Sequence, residues 1–211
     1  MIWLVLLWLG VAHAEMPLPS YRDAASHAAW YQVNALVEAG HYQDAIAKAK
    51  AYETTVNETA GLEYLIGLSW RYLDDGRRAE RYLRHAAELD PTYPAPWSDL
   101  GEIYLVQGRY DEARRCFQHV ANLVKTEPGS ATGPRRLAEI AAHDGDATTF
   151  EKEIREALRR GFSFREIAGL PNWQRFYADP RLRDSITKMV TVYGDPSVLD
   201  SLAPTQAEKT P

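Results

Sequence analysis

The chain has 211 residues, 45% of them hydrophobic and 25% charged, which allows one soluble globular domain with small appendages. Its net charge is -5 and no cluster of Lys and Arg stands out, which argues against a nucleic-acid or anionic-membrane surface. Cys116 is the only cysteine, so no intramolecular disulfide can form.

Ile2 to Ala12 is an apolar run followed by Ala12-His13-Ala14, an A-x-A cleavage pattern. The run is too short for an ordinary membrane-spanning helix but suits the core of a signal peptide. We therefore read 1–14 as a signal peptide, with the mature chain starting at Glu15 in the periplasm or outside the cell. No Lys or Arg precedes the run, so an uncleaved anchor and a misassigned start codon stay open. Such an anchor is the one membrane contact the sequence suggests. Residues 15–25 form a lead-in.

From residue 26 onward a spacing recurs. Trp97, Leu100, Gly101 and Tyr104 fall at i, i+3, i+4 and i+7, one face of a helix, and Ala113, Phe117 and Val120 form the face of a partner helix. Gly101 and Ala113 let the two axes approach, while the aromatic side chains fill the space around them. Gln107-Gly108-Arg109 supplies the turn, with Gly108 suited to a left-handed cap. One period earlier Gly67, Ala79 and Leu83 occupy the equivalent positions, with Trp70 in place of Tyr104. Two periods earlier stand Leu36, Gly40, Tyr42 and Ala45. The second copy has Asp74-Asp75-Gly76 where the turn glycine is expected, which predicts a different turn there. Asp90-Pro91 ends it. After the third copy Lys125 replaces an expected proline, and Glu127-Pro128-Gly129-Ser130 reads as a longer loop. A degenerate fourth copy follows, displaced by three residues, with Leu137, Ala138, Ala141, Gly145, Phe150, Ile154 and Ala157 at the pattern positions.

The units lie near 26–59, 60–93, 94–127 and 131–161. From 162 to 193 a cap is expected. Trp173, Phe176 and Tyr177 lead into Asp179-Pro180, a good N-cap and first helical position. Leu182, Ile186, Met189, Val190 and Tyr193 then repeat with helical period. Core packing is the favoured role of Trp173, Phe176 and Tyr177, with partner docking the alternative. Residues 194–211 lose the apolar pattern and read as a disordered tail.

The W-x2-L-G-x2-Y and A-x3-F block, repeated every 34 residues, resembles the tetratricopeptide repeat family across residues 26 to 161. That resemblance implies an all-α fold, an α-solenoid of helix–turn–helix units whose first helices line a groove for a protein or peptide partner. Carried onto this chain, the groove positions are Trp30 and Asn34, then Tyr64, Leu68, Arg71 and Tyr72, then Glu102 and Leu105. The fourth unit offers Arg135, Glu139 and His143. Trp30 has a second reading, since the family's packing tryptophan falls at Ala29 and Trp30 can slide into that role. The members that clamp a C-terminal carboxylate need Lys, Arg and Asn at fixed positions. Here Asn34 alone matches, the others being Trp30, Leu65, Ala95 and Asp99, so that clamp is not expected.

No catalytic motif, phosphate loop or zinc pattern is present in the sequence, and it nominates no enzyme activity, cofactor or metal. His85 and His119 occupy the same position of consecutive units, too far apart to share a metal. The Arg77-Arg78, Arg114-Arg115, Arg135-Arg136 and Arg159-Arg160 pairs alternate with acids and read as solvated helix surface. Asn57-Glu58-Thr59 matches a glycosylation sequon, which matters only in a eukaryotic host. The function expected is an exported scaffold or adaptor that binds a peptide segment or envelope partner in the groove. The alternative is a structural subunit or assembly factor of an envelope, secretion or pilus machine, with self-association open to it.

Overall fold

The computed structural model describes residues 24–56, 59–125 and 130–203, and every regular element among them is a helix. The expected signal peptide at 1–14, Asn57 of the sequon and the last residues of the tail lie outside the described residues. Met1–Leu123 and Val124–Pro211 form two compact units.

The first unit holds three helical hairpins: α1 (Ala24–Glu38) with α2 (Tyr42–Val56), α3 (Ala60–Tyr72) with α4 (Gly76–Leu89), and α5 (Pro94–Val106) with α6 (Tyr110–Leu123). Each turn closes the same way. Gly40 at φ +78° and Gly108 at φ +72° take the left-handed region, and the following amides reach back five residues, His41 to the Leu36 carbonyl at 2.9 Å and Arg109 to Tyr104 at 2.8 Å. This is the Schellman closure that glycine permits at no steric cost. The second turn corrects the sequence reading. Asp74 takes φ 60° at the position of Gly40 and Gly108, and Asp75 donates to the Trp70 carbonyl at 2.9 Å. Asp is one of the few side chains that tolerates this region, so the turn keeps its geometry without its glycine. Asp75 then caps α4, its side chain accepting from the Arg78 amide at 2.9 Å.

The hairpins are held by matched volumes. Gly67 packs on Leu83 and Gly101 on Phe117; Val33 and Ala49, both fully buried, occupy the same two repeat positions in the first hairpin. Helix α3 packs on α1 and α5 as well as on α2 and α4, so every residue from Ala60 to Ser69 is buried. The first helices of the hairpins, α1, α3 and α5, adjoin one another and make the inner face of this unit.

The second unit holds α7 (Thr132–Asp144), α8 (Ala147–Arg159), a 3-10 turn (Phe164–Ile167), α9 (Pro171–Ala178), α10 (Pro180–Tyr193) and α11 (Ser197–Leu202). Gly145, at φ +73°, repeats the same turn, with the Asp146 amide donating to the Ala141 carbonyl at 2.9 Å. Ala138, Phe150, Ile154 and Ala157 share one core with Phe164, Trp173, Ile186, Met189 and Leu202. The fourth hairpin and the closing segment thus bury each other's apolar faces. Asp179 caps α10 as expected, accepting from the Arg181 amide at 2.9 Å, with Pro180 first in the helix. Trp173 is fully buried, and Phe176 and Tyr177, half-buried, pack against the core. Two expectations change: Tyr193 is exposed at the end of α10, and the stretch read as tail contains α11, whose Val198 and Leu202 are buried.

Among the described residues no helix is long and apolar enough to cross a membrane.

Candidate functional site

The positions carried over by resemblance divide into two layers on the inner face of the first unit. Trp30, Tyr64 and Leu68 are 7%, 4% and 2% exposed, so they form a buried layer and present no open anchor surface. Ala29 is buried beside Trp30, and the packing reading of this tryptophan is the one realised. Tyr64 meets Tyr93 edge to face at 5.2 Å, and burial holds its phenol well above the ordinary range. Asn34, Arg71, Tyr72, Glu102 and Leu105 make the half-exposed layer above.

Local structure fixes each of these. Asn34 donates to Glu38 Oε1 one helical turn later at 2.6 Å. Tyr72, at the end of α3, stacks on Tyr42 at the start of α2, with centroids 4.7 Å apart and planes 16° from parallel. That contact ties the first hairpin to the second, and burial raises the Tyr72 phenol against the opposing pull of Arg71. Arg71 reaches from α3 to α5 and pairs with Asp99 Oδ1; the side chains are 22% and 6% exposed. In the sequence Asp99 stands out only as one of the positions that do not match a carboxylate clamp. Its 28-residue separation from Arg71 is not a spacing that a single helix face reveals. Val106, next to Leu105, is 84% exposed at the end of α5.

The carried-over residues of the fourth hairpin do not join an open surface. Arg135 and Glu139 are buried in the second unit, where Glu139 accepts from Arg136 at 2.5 Å, from Arg135 at 3.3 Å and from Trp173 Nε1 at 2.9 Å. Burial alone raises the Glu139 carboxyl, but the two guanidiniums and the indole hydrogen bond outweigh it and hold the group below the usual range. The Arg135-Arg136 pair is therefore a buried ion cluster, not solvated surface. His143 stays exposed beside Asp144.

Elsewhere in the first unit the charges are paired in short circuits. Arg109 lies 4.2 Å from the Tyr104 ring centroid and reaches Glu80 at 3.1 Å and the Glu112 carboxylate. One period earlier Arg78 lies 4.3 Å from the Trp70 ring and pairs with Asp75 at 3.3 Å. The acid and base have exchanged places, yet each aromatic ring keeps a guanidinium over it. A cavity of about 480 Å³ on α4 is lined by Arg77, Glu80, Arg81, Arg84, His85 and Glu88, charges of both signs. His85 contacts Glu63 at 3.0 Å, while its counterpart His119 tilts against Trp97 at 4.4 Å and contacts the Pro91 carbonyl. Each histidine braces its own hairpin. Among the described residues no group of three His, Cys, Asp or Glu side chains could hold a metal ion.

Residues 73–128 match the family model described as tetratricopeptide repeat. No curated protein matches the chain. Among solved structures, PilF of Pseudomonas aeruginosa is similar at 14% identity over 86% of this chain and 88% of that one, with a TM-score of 0.60. MamA is similar at 20% identity over 63% of this chain and 75% of its own, with a TM-score of 0.55. YrrB, described as a TPR protein with an unusual peptide-binding site, is similar at 21% identity over 65% and 69%, with a TM-score of 0.52. At these identities the likeness carries the fold.

Proposed function

We propose that this chain, whose residues 73–128 match the tetratricopeptide repeat model and whose fold is similar to solved structures of that kind, is a protein-interaction scaffold, and that the inner face of α1, α3 and α5 docks a peptide segment of a partner in the cell envelope. The observation that carries the reading is the half-exposed layer of Asn34, Arg71, Tyr72, Glu102 and Leu105 over a buried aromatic floor. A rigid floor under polar and apolar contacts lowers the ordering cost of binding. YrrB, similar in fold, is itself described as peptide-binding. The apolar run of Ile2 to Ala12 with its A-x-A site supports export, so the partner is sought in the periplasm or outside the cell.

The test is affinity capture from the host with the tagged full chain and with its Leu105→Arg and Tyr72→Ala variants. Both variants are expected to keep helical circular dichroism and to lose the captured partner. A partner retained equally by wild type and both variants removes the inner face from the reading.

A further inference from the structure

Arg71 and Asp99 leave something over after pairing. Asp99 is 4% exposed, and its Oδ1 accepts from Arg71 Nη1. Its other oxygen, Oδ2, is enclosed and has no hydrogen-bond partner among the described residues. A buried carboxylate oxygen left without a donor is costly, and such atoms are rare in folded proteins. Arg71 has the opposite surplus. A guanidinium carries five N–H donors in a planar fork, and among the described residues its one hydrogen bond is to Asp99. Its side chain is the more exposed of the two, on the inner face between Tyr64 and Tyr72, whose phenols both sense its charge.

We propose that this pair reads a primary carboxamide, the side chain of glutamine or asparagine, on the docked peptide. This deepens the proposed function and rests on it. The carboxamide oxygen accepts from the free edge of the Arg71 guanidinium, and the carboxamide N–H donates to Asp99 Oδ2 once the guanidinium turns to admit it.

The charges choose among ligand groups. A carboxylate offers no donor to Oδ2 and meets the negative charge of Asp99 itself. An ammonium satisfies Oδ2 but sits against the Arg71 charge. With Asp99 already neutralised by Arg71, what is missing is a donor and not a counter-charge. A neutral group that both donates and accepts fits; a carboxamide carries its donor and acceptor side by side on one carbon, whereas a neutral imidazole points them apart and a hydroxyl uses one atom for both.

The test uses three fluorescein-labelled peptides of alternating serine and glutamine, serine and glutamate, and serine and lysine. Fluorescence anisotropy reads their binding to the full chain and to Asp99→Asn, Arg71→Lys and Leu105→Arg. The glutamine peptide is expected to bind about tenfold tighter than either charged one. The preference should vanish in Arg71→Lys, which keeps the charge but loses the planar fork, and in Asp99→Asn, which replaces an acceptor by an amide. Thermal melts confirm that each variant is folded, and Arg71→Lys carries the test alone if Asp99→Asn is not.

If a charged peptide binds as well as the glutamine one and Leu105→Arg abolishes that binding, the inner face stands and the carboxamide assignment falls. If no peptide binds, or if Leu105→Arg changes nothing, the docking reading and the assignment fall together.

Discussion

A Cβ placed on Gly101 would stand 2.6 Å from Cζ of Phe117, closer than real atoms sit. The same relationship, one period earlier, puts a Cβ on Gly67 2.8 Å from Cγ of Leu83. Where the second helix carries fully buried Ala49 instead, the first carries Val33, and the fourth hairpin has Ala138 with Ile154. The size lost on one helix is returned on the other.

Gly101→Ala is therefore expected to destabilise the chain by about 1–3 kcal/mol despite alanine's better helix propensity. Phe117→Leu in the same chain should recover part of the loss. Urea denaturation of the two single variants and the double variant measures the coupling, and additive losses would refute the volume match.

Asp74 occupies a left-handed backbone position that glycine fills in the neighbouring turns. Asp74→Gly should stabilise the protein by about 1 kcal/mol by relieving that strain. Gly108→Ala should cost a similar amount. A Tm that falls in the first variant would mean the Asp74 side chain contributes more than its backbone costs.

Glu139 ties α7 to α9 through Trp173. Its carboxyl is held below its ordinary value of 4.5 in the folded protein, so its contribution is present above that pH and is lost as pH falls through the lower folded value. Glu139→Gln keeps an acceptor for the indole but leaves Arg135 and Arg136 without the carboxylate. The expected loss at neutral pH is about 3 kcal/mol. Denaturation at neutral pH and again below pH 4.5 should show a smaller gap between variant and wild type in acid. An equal gap at both would sink the argument.

Cys116 is buried and its thiol is pushed up to about 11 by desolvation. At neutral pH the thiolate that reacts is scarce and covered. Iodoacetamide should leave the folded protein unmodified and label it fully in urea, as read by intact mass. Rapid labelling without denaturant would contradict the packing of α6.

The hairpins were legible because period and turn chemistry agree: Gly40, Gly108 and Gly145 mark where the chain reverses, and Ala113 and Phe117 mark where helices meet. Asp74 hid its turn because the backbone position, not the residue, is what repeats. The division between floor and open surface was not legible. A helix buried all round, as α3 is from Ala60 to Ser69, has no polar face for periodicity to expose. Tyr64 and Leu68 thus read as groove by resemblance and lie in the core by packing. The ion pair of Arg71 with Asp99 and the hydrogen bond from Trp173 to Glu139 join separate helices, which no local pattern encodes; the Arg135 and Arg136 pairs with Glu139 are one-turn spacings within α7, and what the sequence hid there was their burial. Helix α11 escaped because its two buried residues, Val198 and Leu202, are too few to make a period.

Phe150 and Ile154 are covered from below by side chains that arrive late in the chain, among them Trp173 and Met189. Anyone lengthening this protein by grafting in one more hairpin should splice it ahead of Thr132. A join made just after Arg159 would strip α7 and α8 of their lid and strand the Glu139 carboxylate without its indole.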